Sequence, residues 1–157
     1  MNRFELEHIL RAAKGVTNET EFVIVGSQAI LGKYPTANPD LLISMEADIF
    51  PLKRPELADE IDGSIGERSP FHETHGYYAH GVAETTAILP SGWKSRLIPI
   101  QNQNTNGAKG LCLEPHDLAA SKLAAGREKD IEFMQVLLRE NMVNRDTLVQ
   151  RIETLPL

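Results

Sequence analysis

The segment LLISMEADIFP, residues 41 to 51, limits this chain more than any other, because an apolar run there carries Glu46 and Asp48 two positions apart. A β-strand puts alternate residues on one face. Leu41, Ile43, Met45, Ala47 and Ile49 then point one way, and Leu42, Ser44, Glu46, Asp48 and Phe50 the other. Two carboxylates held that close repel each other unless water or a shared cation relieves them. The segment therefore predicts a strand with an acidic patch amid apolar neighbours, closed by Pro51.

The flanking elements follow from local signals. Asn2 with Glu5 reads as a capping box, so residues 3–14 predict a helix ended by Gly15. EFVIVG, residues 21–26, predicts a β-branched strand, and SQAILGKY a short helix stopped by Pro35. RPELADEI predicts another short helix, with Pro in its first turn. Residues 63–76 mix Gly, Ser, Pro and His without a period and predict a long loop. YYAHGVAETTAIL predicts an extended run with a bulge at Gly81, and RLIPI and LCL predict strands separated by the polar turn QNQNTNGAKG. From Pro115 three helices are expected: residues 115–126, then residues 127–141 with Ile131, Met134, Leu137 and Leu138 on one stripe, then residues 145–155 capped by Asn144. This order predicts an α+β fold, α/β-like, with a mixed sheet flanked by helices. At 157 residues one domain is expected, with a sheet core over about residues 1–113 and a helical tail over about 114–157.

A net charge of −6 excludes a general, charge-driven nucleic-acid binder but leaves room for a small phosphate site. The single cysteine, Cys112, cannot form an internal disulfide and reads as a small core residue. With no long apolar span and no signal-peptide pattern, a cytoplasmic protein is expected.

Gly26 and Ser27 sit where a strand hands over to a helix, a place suited to phosphate because free N–H groups and a positive dipole end meet there. If that strand neighbours the acidic one, phosphates at Ser27 face Glu46 and Asp48, and a divalent cation between them is the natural way to relieve their repulsion. Mg²⁺ takes a few carboxylate oxygens together with phosphate and water. Two such ions would activate an attacking hydroxyl and stabilise leaving pyrophosphate. Glu84, on one face of the expected run with Val82, Thr86 and Ile88, is the candidate third acid. Lys122 and Arg127 are candidate phosphate ligands. On one continuous helix their spacing would splay them by roughly 140°, but a break at Gly126 would bring them together. His72, His75 and His80 lack the Cys partners of a structural zinc site and read as loop histidines or substrate contacts.

Gly26-Ser27 after a strand, followed by acid-x-Asp on the next, resembles the nucleotidyltransferase signature of the DNA polymerase β superfamily. FVIVGSQAILG, SMEADIFP, LPSGWKSRL and DLAASKLAAGREKD are similar to small bacterial nucleotidyltransferase-like proteins, and HDLAASKLAAGREKD resembles the C-terminal motifs of AbiE-type toxins. The resemblance implies a nucleotidyltransferase fold and transfer of a nucleoside monophosphate from an NTP to a hydroxyl of RNA or protein, with an antitoxin as a further partner. It implies Gly26, Ser27, Lys122 and Arg127 as nucleotide-binding residues. It also implies that Glu46, Asp48 and Glu84 are catalytic and hold Mg²⁺ or Mn²⁺, with Asp117 and Asp130 in support. Two departures, Glu46 where the superfamily has Asp and a long gap from Ser27, leave an alternative: a module of the same fold that binds nucleotide or protein without turnover.

Overall fold

A computed structural model describes residues 1–156. Its centre is a five-stranded mixed sheet in the order β3-β2-β1-β5-β4. The strands are β1 (Glu21–Val25), β2 (Glu46–Pro51), β3 (Tyr78–Gly81), β4 (Ile98–Ile100) and β5 (Lys109–Cys112). The helices are α1 (Arg3–Thr17), α2 (Ala58–Ile65), α3 (Pro70–His75), α4 (Pro115–Ala125), α5 (Glu128–Arg139) and α6 (Arg145–Glu153). The expected α+β class and C-terminal helical tail are present.

Strand β1 lies in the middle because both of its faces are apolar: Phe22, Val23 and Ile24 are fully buried. It pairs antiparallel with β2 and parallel with β5. The outer strand β3 runs parallel to β2, and β4 antiparallel to β5. Helix α1 packs on α2 and β5, and α4 packs on α5 and α6. One hydrophobic cluster joins Leu6 and Leu10 of α1, β1, Ile61 of α2, and Leu118, Leu137 and Leu148 of the last three helices.

Several boundaries differ from expectation. Helix α1 carries its Asn2–Glu5 capping box but runs past Gly15 to a left-handed cap at Asn18. The acidic strand begins only at Glu46, because Pro39–Leu41 form a 3₁₀ turn capped by Asn38. Residues 63–76 hold the end of α2 and all of α3 rather than a long loop. Ser69 caps α3 by accepting from the His72 N–H, and Pro70 fills its first turn. SQAILG forms a 3₁₀ helix of six residues, not a full α-helix. On α5 the buried stripe is Asp130, Phe133, Met134 and Leu137, which leaves Ile131 and Leu138 over 40% exposed. Among the described residues no helix is long and apolar enough to cross a membrane.

Candidate functional site

The sheet register builds the site. Val25 stands opposite Asp48, so the chain leaving β1 at Gly26 turns beside the acidic face of β2. Gly26 has φ +72°, and a Cβ there would come within 2.6 Å of Asp48 Oδ2. Only glycine permits both that backbone and the close approach of the carboxylate. Ala47 and Ile49 are fully buried while Glu46 and Asp48 share the opposite, half-buried face, as strand alternation predicts.

On the other side of β2, the parallel register sets Tyr78 opposite Glu46 and His80 opposite Asp48. The Tyr78 hydroxyl donates to Glu46 Oε2 at 2.8 Å. His80 Nδ1 lies 3.4 Å from Glu46 Oε1 and 3.3 Å from Asp48 Oδ1. One ligand atom from each of Glu46, Asp48 and His80 falls within 4.8 Å of the others.

The two acids are electrostatically unequal. Burial, together with the hydrogen bond and charge of Glu46, pushes the Asp48 carboxyl up to about 7, and His80 offsets only part of this. Burial also acts to raise Glu46, but the hydrogen bonds of Asp48 and Tyr78 and the charge of His80 outweigh it, so Glu46 titrates below the usual range. Asp48 Oδ1 is buried and, among the described residues, has no hydrogen-bond partner. A buried acceptor without a donor needs a partner of another kind. Two carboxylates and an imidazole are such a partner's usual ligands, so the residues fit a divalent cation.

A cleft of about 230 Å³ opens beside Asp48. It is lined by Asp48 of β2, Gly26 of the turn after β1, Thr86 to Ile88 of the loop after β3, Lys122 of α4, and Arg127 and Asp130 at the start of α5. The break that joins Lys122 to Arg127 is real: Gly126 closes α4 in the left-handed conformation at φ +64°, and Arg127 starts α5. Both basic side chains converge on the wholly buried Asp130, with Lys122 Nζ 3.3 Å from Oδ1 and Arg127 Nε 2.7 Å from Oδ2. Burial lowers the Lys122 pKa, with Asp130 opposing it. Burial would raise that of Asp130, but the hydrogen bond of Arg127 and the charge of Lys122 draw it below the carboxylate range. A second hollow of about 400 Å³ adjoins the cleft through Ala87 and Ile88 and is lined by Trp93, Lys94 and Glu84.

Three sequence candidates lie elsewhere. Glu84 does not meet Glu46 and Asp48. The expected extended run ends at Gly81, the chain turns, and the Glu84 carboxylate pairs with Lys94. Asp117 does not line the cleft; it is wholly buried and held by Arg96 and Arg151. Ser27 follows Gly26, but its hydroxyl accepts from the Gln28 amide at 3.1 Å, and the short 3₁₀ helix it opens lacks the dipole of a full α-helix. Cys112 is buried, with its thiol pushed up to about 12 by burial, and is a packing residue.

Sequence reasoning missed Tyr78 and His80 as neighbours of the acids. The cue was the alternation of Tyr78 and His80 in YYAHG, the same period as Glu46 and Asp48. Only the parallel pairing with β2 turns that cue into contact.

The chain belongs to the family described as "Nucleotidyltransferase of unknown function (DUF6036)", whose match spans residues 4–155. That membership agrees with the resemblance drawn from Gly26-Ser27 and the acid-x-Asp strand. No curated protein and no solved structure matches the chain.

Proposed function

We propose that this chain transfers a nucleoside monophosphate from an NTP to a hydroxyl of an RNA or protein acceptor, with the help of a divalent metal such as Mg²⁺ or Mn²⁺. The observation that carries this reading is the single cleft shared by Gly26, Asp48, Lys122 and Arg127. It sets two cationic side chains in one cleft with a carboxylate of which one oxygen lacks a hydrogen-bond partner, the charge pattern a metal-bound triphosphate would complete.

In the transfer, the acceptor oxygen bonds to the α-phosphorus, the bond from that phosphorus to the bridging oxygen breaks, and pyrophosphate leaves with the acceptor's proton released to solvent. Lys122 is a point charge for phosphate oxygens, and Arg127 a fork whose side chain is 59% exposed while Asp130 holds one edge of the guanidinium. Asp130 positions both from the rear. Gly26 leaves the backbone bare where a phosphate would approach. Tyr78 orients Glu46 through its hydroxyl. A divalent ion on Glu46 and Asp48 supplies charge neutralisation at the transferred phosphate and lowers the pKa of the acceptor hydroxyl.

The placement of Glu84 favours one alternative. With that acid tied to Lys94, the acid set is smaller than the resemblance implies, and a module that binds nucleotide without turnover would need no more. Incubation with each α-³²P-labelled NTP, divalent ion and total RNA or protein separates the two. Transfer of label by the wild type and none by Asp48→Ala supports the enzyme, and the labelled species identifies the acceptor. Metal-dependent NTP binding without transfer supports the module. No NTP binding with metal present contradicts both.

A further inference from the structure

The ligand set beside the cleft is not purely oxygen. His80 is fixed on the acidic face by the β2–β3 register, opposite Asp48. Its Nδ1 points between the two carboxylates, at 3.4 Å from Glu46 Oε1 and 3.3 Å from Asp48 Oδ1. Neither contact is aligned as a hydrogen bond: Asp48 Oδ1 keeps no donor although the imidazole stands beside it. Donor atoms around one small dication with bonds of about 2.0–2.2 Å lie about 3.0–3.6 Å apart, a range that holds both distances from His80 Nδ1. The neighbouring cations do not compete for the place, because Lys122 and Arg127 are both engaged by Asp130.

We infer that His80 is the third protein ligand of the metal, and that the Glu46–Asp48–His80 set takes a first-row transition dication in preference to Mg²⁺. This rests on the metal part of the function proposed above and goes further by naming the ligand and the class of ion. Mg²⁺ is a hard ion that keeps oxygen ligands and water, whereas imidazole nitrogen suits the later members of the Mn²⁺ to Zn²⁺ series. Two carboxylates and one imidazole leave open positions for water and phosphate, as catalytic metal sites do and closed structural sites do not. The half-exposed ring of His80 lies on the solvent side, and its other nitrogen has no partner among the described residues.

The test is metal binding to the full chain at pH 8, read without nucleotide or turnover. Titration calorimetry compares Zn²⁺ with Mg²⁺, and electron spin-echo envelope modulation on the Mn²⁺ complex reads nitrogen coordination directly. The expected result is Zn²⁺ binding about 100-fold or more tighter than Mg²⁺, with ¹⁴N modulation on bound Mn²⁺. His80→Gln should abolish the modulation and cut the Zn²⁺ preference about tenfold or more, with Mg²⁺ affinity within about twofold of wild type. His80 is half-exposed, so the substitution leaves the core untouched. Mn²⁺ bound without ¹⁴N modulation, and a Zn²⁺ preference unmoved by His80→Gln, overturn the inference while leaving a metal-dependent transferase standing. Failure of all three ions to bind overturns the inference and the metal part of the function together.

Discussion

Asp117 and Asp48 are two acids that the fold treats in opposite ways. Asp117 is wholly buried, yet Arg96 grips it with two parallel hydrogen bonds of 2.9 Å each and Arg151 adds a third at 3.0 Å. Arg151 also pairs with Glu114, and Glu114 receives His116, whose other nitrogen accepts the Asn144 N–H at 2.8 Å. This network ties the loop before α4 to α6 and leaves no carboxylate wanting. Asp48 is less buried, has a like charge for a neighbour and keeps an oxygen without a donor. The same chain that brings two guanidiniums to one carboxylate brings none to the other. A buried charge is tolerated when paired and costly when not. The difference marks Asp117 as a structural post and supports the proposal that Asp48 holds a ligand.

The largest effect is expected at Asp117. Asp117→Asn leaves the partly buried Arg96 without its anion and Arg151 with Glu114 alone, and should destabilise the chain by about 3 kcal/mol in urea unfolding, with an unchanged m-value. An effect under about 1 kcal/mol would place the network among surface pairs of little worth. Next is Gly26→Ala, which forces a Cβ onto Asp48 Oδ2 at a positive φ. It should cost about 1–3 kcal/mol and weaken metal binding in calorimetry, since the carboxylate must move aside.

The two regions should also answer pH with opposite signs. The folded-state pKa of Asp48 is raised, so the stability it contributes is full below the ordinary carboxyl value and lost as pH rises toward about 7. That of Glu114 is lowered: burial opposes this, but the hydrogen bonds from His116 and Arg151 prevail. Its contribution is present above the ordinary glutamate pKa and lost as pH falls through the folded value. Urea unfolding of the metal-free chain from pH 3 to 8 should therefore lose its neutral-side decline in Asp48→Asn and part of its acid-side decline in Glu114→Gln. A profile unchanged in both variants would remove the contrast. The smallest effect is expected at Glu84. Glu84→Gln breaks only an exposed pair with Lys94 and should change stability by about 0.5 kcal/mol or less and metal affinity not at all.

Much of the site was legible because it depends on local rules. Alternation put Glu46 and Asp48 on one face, and Gly26 marked the turn beside them. Gly126 signalled the helix break that brings Lys122 to Arg127, and the Asn2 and Asn144 caps set the starts of their helices. Non-local pairing was the obstacle elsewhere. Nothing in YYAHG says that it lies parallel to β2, so the sequence alone leaves His80 as a loop histidine or a substrate contact. The sequence puts Glu84 on an extended run because an apolar, β-branched run does not reveal where its hydrogen-bonded partner stops. The Ser69-Pro70 start of α3 was a local signal, hidden by the mixed composition around it.

The most direct trial of Asp48 as a metal seat is thermal unfolding at pH 8, with and without a divalent ion at about a hundred times its dissociation constant. Ligand linkage then amounts to about 2.7 kcal/mol, a rise of roughly 5–10 °C for a chain of this size. That rise is expected in the wild type and none in Asp48→Asn, which should already unfold at a higher temperature than the metal-free wild type. An equal rise in both proteins, or no rise in either, would contradict it.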